Sequence, residues 1–464
     1  MKEQTQERGQ VLVLIILAIT VIFGFSALAV DVGRLYSERR RAQSAADAAA
    51  YAAAFAASQG DAKAVYIQKG LDSANRNGFS DDDAGLEPGE VVDVEIYNPP
   101  ISGKYATATS TIKPSEYYQV LITQQVDPVF SQFVYQGGWL VKVEAVAHST
   151  AKRSFADGNI IVSTCPDCCD GVDFSGTGYT RVVGGDITSH STKSTGSCHS
   201  GEMNGSGCVI VQDGGINLAG DWYSKTAKCK YQGVDIVPAV QVEHGIDENS
   251  TELWTGTDPG MPGCLKSDGT SLPVVSNNKY NSDAVLSPGI YSKGIEISGK
   301  NTLVQMKPGM YCLDGDFSIT GGTVTGDGVM FVMRSNSSVK ITGNESVSLT
   351  APGTIDQCIS DPKFYDTDEN FCWSGFLIYM PFTNEGVVHL GGGNSTTYEG
   401  TIFAPGPAKN NDAKKCVITG NSESMGVNAS IICHNVTVDG NGTISMKYYD
   451  KLNAQQPAII ELAK

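Results

Sequence analysis

Residues 288–321 read PGIYSKGIEISGKNTLVQMKPGMYCLDGDFSITG. Inside this stretch Ile295-Glu296-Ile297-Ser298-Gly299 returns 22 residues later as Phe317-Ser318-Ile319-Thr320-Gly321. A further 22 residues on it returns as Val339-Lys340-Ile341-Thr342-Gly343. Pro288-Gly289-Ile290-Tyr291 recurs after twenty residues as Pro308-Gly309-Met310-Tyr311, and Ile418-Thr419-Gly420-Asn421 as Val438-Asp439-Gly440-Asn441. Short alternating apolar runs, separated by Gly and Asn at a period near twenty, are the pattern of a β-solenoid. One turn of three short strands cannot bury its apolar side chains alone. Stacked turns can, so Ile297, Ile319 and Ile341 are expected inside, one above another. The turns between strands need positive φ, which Gly and Asn tolerate.

Working outward, the same kind of run occurs at Val209–Val211, Ile216–Leu218, Val347–Leu349 and Val436–Val438. A right-handed parallel β-helix (β-solenoid) is therefore expected over 153–450, with roughly ten turns at this repeat length. The periodicity lapses over 221–284 and 354–376, which read as insertions containing Trp222, Trp254 and Trp373. An array of immunoglobulin-like sandwiches is the alternative fold, and strands this short and regular argue against it. Residues 451–464 read as a C-terminal tail. Eight N-x-S/T sequons, at Asn204, Asn249, Asn336, Asn344, Asn394, Asn428, Asn435 and Asn441, read as turn asparagines.

The amino-terminal end is of another kind. A charged tip, 1–10, precedes Val11–Val30, VLVLIILAITVIFGFSALAV, which holds no charge and is long enough to cross a bilayer as a helix. Eleven alanines follow between 42 and 57 without Pro or Gly, so the helix is expected to continue into water to about residue 57. Two forms of processing stay open. Ala27-Leu28-Ala29 is a signal-peptidase-like site. A prepilin-type cut after Gly9 would leave Leu14 where type IV prepilins usually carry Glu. Residues 31–152 read as the rest of this helix plus a small α+β domain. It comprises a second helix over 61–75, an acidic loop at 80–85, strands at 91–97, 118–126 and 140–147, and a short helix at 129–135. The expected fold class is thus mainly β: a long transmembrane helix, a small pilin-like α+β domain, then the β-helix.

Arg8-Gly9-Gln10, the apolar span, Ala29-Val30-Asp31-Val32-Gly33-Arg34, Arg39–Arg41 and Ala46-Asp47-Ala48-Ala49-Ala50 follow one another in order. This string closely resembles the N-terminal module of the TadE/TadG-like proteins of the tight-adherence (Flp) pilus-assembly system. The resemblance covers the first sixty residues and fades towards 152. It implies a single-pass membrane protein with its bulk outside the cytoplasm, other pilus-assembly or pilin-like proteins as partners, and no catalytic residues.

All twelve cysteines follow residue 164: Cys165, Cys168, Cys169, Cys198, Cys208, Cys229, Cys264, Cys312, Cys358, Cys372, Cys416 and Cys433. An even number spread through a Gly-rich region fits disulfides formed in an oxidising compartment. Cys165-x-x-Cys168-Cys169 is also the opening of a metal motif. No second C-x-x-C follows, and His190 and His199 do not form an H-x₃₋₅-H pair, so disulfides are favoured and no metal or other cofactor is expected. Arg34 and Arg39–Arg41 after the span outnumber the basic groups before it, which taken alone would place the C-terminal bulk in the cytoplasm. The cysteines and the resemblance point the other way, to a cytoplasmic N-terminus.

The formal net charge is −17, without a basic cluster, which excludes a nucleic-acid-binding surface. His148, His190, His199, His244, His389 and His434 form no spaced ligand pair, and no nucleophile or phosphate-loop motif occurs. Asp314, Asp316 and Asp327 are the acidic residues that a cleft on a β-helix would use, but Asp-Gly is also ordinary turn chemistry. The expectation is a membrane-anchored, extracytoplasmic structural or adhesive pilus-assembly component, not an enzyme. The alternative is a β-helical carbohydrate-binding or carbohydrate-cleaving envelope protein, whose partner would be a surface polysaccharide.

Overall fold

The computed structural model describes the chain except residues 1–7, 81–91, 110–111, 131–136, 151–152, 252, 257, 266–268, 343–345, 354–364, 367–370, 394, 410–413, 421–424, 450–451, 457–459 and 464. Most of the expected helix at 129–135, most of the acidic loop, Cys358, and the turn asparagines Asn344, Asn394 and Asn421 lie outside the described residues. The chain forms two compact units, 1–152 with 457–464, and 153–456.

In the first unit α1 runs from Arg8 to Ser58, 51 residues or about 75 Å of continuous helix. Its apolar part is unburied and is long and apolar enough to cross a membrane. The alanine-rich half buries Ala42, Ala45, Ala46, Ala49, Ala50, Ala53 and Ala54 completely. Helix α2 (Lys63–Arg76) and strands β1 (Val92–Tyr97), β2 (Tyr117–Val126) and β3 (Trp139–Ser149) cover that face. The small side chains let the backbones come close. Gly70, a weak spot when α2 is judged from propensity, is part of this fit. A Cβ there would stand 2.5 Å from Ile96 Cδ1 and 3.3 Å from the Ala49 carbonyl oxygen.

The strands are antiparallel, and the sheet has a fourth member that the sequence does not announce. Ile460–Leu462 pairs with Ala147–Ser149 of β3. The residues expected as a tail therefore complete the sheet of the first unit, and the second unit is an insertion between β3 and this strand. Its own ends meet, Arg153–Ser154 pairing antiparallel with Gln455–Gln456.

The second unit is built on three parallel sheets of ten strands each. The chain visits them in rotation: Ile295–Ile297 in sheet I, Leu303–Met306 in sheet II, Gly309–Leu313 in sheet III, then Phe317–Ile319 in sheet I again. This is consistent with the stacked turns expected from the repeat. Register agrees with the 22-residue period, since Ile297 pairs with Ile319 and Ile319 with Ile341, all three at most 1% exposed. Ile418 likewise pairs with Val438. The Pro-Gly-x-Tyr match does not give register, because Gly289 faces Tyr311, two residues away from its apparent equivalent Gly309. The motif is a local turn. Tyr291 OH donates to the Ser287 carbonyl, and Tyr311 OH to that of Lys307, four residues back in each case.

Two features of the stack depart from a simple progression. The first turn of the chain is not at an end. Val172–Phe174 lies between Val436–Gly440 on one side and Gly201–Met203 on the other, and Tyr179–Val183 lies between Thr443–Lys447 and Cys208–Gln212. The unit thus starts inside the stack and builds to one end at Trp222–Glu248. It resumes at the other end at Lys279, then winds back until its last turn closes on its first. Second, the expected insertion 221–284 shrinks to 249–278. Trp222–Ser224, Val240–Val242, Ile246–Glu248 and Ala284–Leu286 are regular members of the sheets. The intervening segment bridges nine inter-strand steps, about 45 Å.

That segment runs over the outer face of sheet III. Trp254 Nε1 donates to the Phe155 carbonyl, Tyr379 OH donates to Asp258, and Cys264 is disulfide-bonded to Cys312. Sheet III is consequently buried on both faces. In Val329–Met333, Phe331 and Met333 point into the stack, while Met330 and Val332 pack outward with Trp254, Trp373, Phe376 and Phe403. A strand covered on both sides needs a continuous apolar run, and VMFVM and FLIY are such runs. Of the second expected insertion, Tyr365–Asp366 and Phe371–Cys372 form a small antiparallel pair.

Candidate functional site

The membrane-proximal helix and its sheet meet at one charged residue. Asp31, 2% exposed, accepts hydrogen bonds from the backbone N–H groups of Val129 and Phe130 at 2.9 and 3.1 Å. Arg34, one turn on, donates to the Asp127 carbonyl. The Asp31-Val32-Gly33-Arg34 segment therefore clamps the chain after β2 onto the helix just beyond its apolar span. A carboxylate in that position satisfies two backbone donors that would otherwise be left without partners.

On the second unit the structure brings together carboxylates that no sequence motif marks. Asp173 and Glu202 face outward from adjacent strands of sheet I in direct register, yet are only 5% and 4% exposed. Asp170 joins them, hydrogen-bonded to Glu202. Lys414 Nζ lies 3.0 Å from Asp173 Oδ2, and Asn204 donates to Glu202 Oε1. His199, whose Nδ1 is 3.0 Å from Asp221 and whose ring stacks on Tyr223, stands at the edge of the group. The Oδ1 atoms of Asp170 and Asp173 are buried without hydrogen-bond partners. Burial pushes the Glu202 carboxyl up to about 7, with the charges of Asp170 and Asp173 adding to it. Burial raises Asp170 too, followed by the charge of Asp173. The sequence signal for the pair was positional: Val172-Asp173-Phe174 and Gly201-Glu202-Met203 are equivalent positions of adjacent turns, 29 residues apart.

Can this group do acid–base chemistry on a sugar? Glycosidases hold two carboxyl groups about 5 Å or more apart across the scissile bond. Here Asp170 and Glu202 are bonded to one another and closed off from solvent, which suits a shared proton better than a substrate. The consequence is a pH dependence of stability. A carboxyl whose folded value lies above its ordinary 4.5 keeps a proton that the unfolded chain loses. Stability then falls as pH rises from about 4.5 through about 7. Glu202→Gln should flatten this slope, read as melting temperature across that range; an unchanged slope would assign the pH dependence elsewhere.

The carboxylates singled out from sequence do not converge. Asp314 is ion-paired with Arg334 at 2.8 Å and Asp316 with Lys340 at 2.7 Å, each across to the next turn. Asp316 also accepts the Ser338 N–H. Ten of the twelve cysteines form five disulfides: Cys165–Cys168, Cys169–Cys198, Cys208–Cys229, Cys264–Cys312 and Cys416–Cys433. Cys372 lies in the small antiparallel pair. Among the described residues, His434 is the one histidine near a cysteine pair, beside Cys165 and Cys168.

Two stretches match known family models. Residues 9–58 match the Flp pilus-assembly TadE/G-like family (Tad). Residues 276–454 match a domain of unknown function (DUF7305). No curated protein and no solved structure is significantly similar to the chain. The first match coincides with α1, so the N-terminal module is TadE/G-like. The second begins where the chain resumes at the far end of the stack and ends beyond the last strand that closes on the first turn.

Proposed function

We propose that this chain is a membrane-anchored component of a Flp (tight-adherence) pilus-assembly system. Its anchor is α1, its N-terminus is cytoplasmic, and its bulk is extracytoplasmic. In this reading residues 153–456 form a right-handed β-helix, the hand that parallel crossovers almost always take. It is displayed as a structural or adhesive element with no catalysis of its own. The observation that carries the proposal is α1 itself. Its TadE/G-like sequence forms one helix, apolar and unburied in its first half and packed on a sheet in its second. The disulfides support an oxidising compartment.

Orientation is the testable part. A reporter pair is fused after Lys464, which leaves the returning strand Ile460–Leu462 in place. Alkaline phosphatase should be active there, and a reporter that needs the cytoplasm should be silent. The opposite pattern would overturn the extracytoplasmic placement and restore the reading given by Arg34 and Arg39–Arg41.

The carbohydrate-active alternative is favoured by one observation, the Asp170–Asp173–Glu202 group on an outer sheet face. Its closure from solvent and its pairing with Lys414 support a structural role instead.

A further inference from the structure

Cys165 and Cys168 belong to the segment that follows the first strand of the second unit, Asn159–Ser163. His434 follows Ile431–Cys433, the strand that pairs with it. The closure of the last turn on the first puts them side by side. Cys165 N–H donates to the His434 carbonyl at 3.0 Å, and Thr164 N–H to that of Cys433 at 2.8 Å. The two Sγ atoms and a ring nitrogen of His434 all lie within 4.8 Å of one another. Asp167 Oδ1 is 3.6 Å from Cys165 Sγ. The His434 ring is also hydrogen-bonded to the Pro405 carbonyl, the type of outer contact that orients a ligating imidazole. Cys165 and Cys168 are 1% and 9% exposed.

We infer that Cys165, Cys168 and His434, with Asp167 beside them, form a zinc-type metal site when the Cys165–Cys168 disulfide is reduced. Two thiolates at i and i+3 plus one imidazole are soft and borderline donors suited to Zn²⁺, and a carboxylate or water completes a tetrahedron. The chemistry balances. A dithiol delivers two electrons and two protons to the disulfide and is itself oxidised to a disulfide. Zn²⁺ then displaces the two thiol protons. The two states do different mechanical work. The disulfide spans a sequence separation of 3 and ties the segment only to itself. The metal ties 165 and 168 to 434, across the place where the last turn meets the first. Cys169, the third member of the sequence cluster, is taken by Cys198 and is not a ligand.

The test uses the full chain in detergent micelles, oxidised or reduced with a dithiol that is then removed anaerobically, and titrated with ZnCl₂. Bound metal is measured by elemental analysis, and Co²⁺ is used in parallel to show thiolate-to-metal charge transfer. The oxidised protein should bind none. The reduced protein should bind one equivalent, with affinity at least about tenfold weaker in His434→Ala. His434→Cys supplies another ligand and should retain binding, and a Cys169→Ser/Cys198→Ser double variant should be unaffected. Absence of uptake by the reduced protein, equal uptake by His434→Ala, or loss in the double variant would each overturn the site. If reduction unfolds the chain, zinc should restore its β-sheet circular dichroism in the wild type and not in His434→Ala; equal behaviour overturns the site as well.

Discussion

Replacing Ile319 with aspartate unfolds the second unit, whereas Ser318→Asp, one residue away, leaves it standing. Ile319 is fully buried between Ile297 and Ile341 in sheet I. A carboxylate there has only aliphatic neighbours above and below in its ladder. The change removes a buried Ile and strands an unpaired charge, at a cost of about 4 kcal/mol or more. Ser318 faces outward between Glu296 and Lys340, where a new carboxylate stays hydrated and meets a repelling and an attracting charge, an effect within about 0.5 kcal/mol. The measurement is thermal unfolding of the full chain in micelles, followed by circular dichroism. Equal melting of the two variants would mean that the period-two assignment, and the stack with it, is wrong.

How much of this was legible beforehand depends on where the chain repeats itself. From Ile295 to Val438 the ladder positions recur at near-constant spacing, so Ile297, Ile319 and Ile341 could be aligned by eye. The 51-residue helix was equally plain, because length and charge alone define it. What escaped was anything fixed by distant partners. The stack's closure pairs Val172 with Val436 and Ile161 with Ile431, contacts across more than half the chain that no local period encodes. The carboxylate group and the Cys165–Cys168–His434 group both sit at or beside that closure, so neither had a motif to show. The strand Ile460–Leu462 was too short to be distinguished from a tail. Glycine was read correctly as abundant but for half the reason. Gly294 and Gly322 do have positive φ, whereas Gly178, Gly205 and Gly207 are glycines because the next turn's backbone lies where a Cβ would be.

The closure can be tested through one of these glycines. A ladder of them, Gly420, Gly440, Gly176 and Gly205, crosses from the last turns of the chain to its first two. A Cβ on Gly176 would overlap the Gly440 backbone, coming within 2.7 Å of its nitrogen. Gly176 also has φ +89°. Gly196, in the small hairpin of Ser194–Thr195 and Cys198–His199, has φ +70° with nothing within 4 Å of the added atom. The two positions share the backbone strain of an L-residue at positive φ, about 1–2 kcal/mol. Only Gly176→Ala must in addition push the first turn away from the last, which adds about 1–3 kcal/mol of overpacking and opens the place where the unit begins and ends. Gly176→Ala should therefore melt well below Gly196→Ala. Hydrogen exchange should show lost protection in both Val172–Phe174 and Val436–Gly440, segments more than 260 residues apart in sequence. If the two alanines destabilise equally and exchange rises only near residue 176, then the first turn does not rest on the last, and the stack runs in chain order from one end to the other.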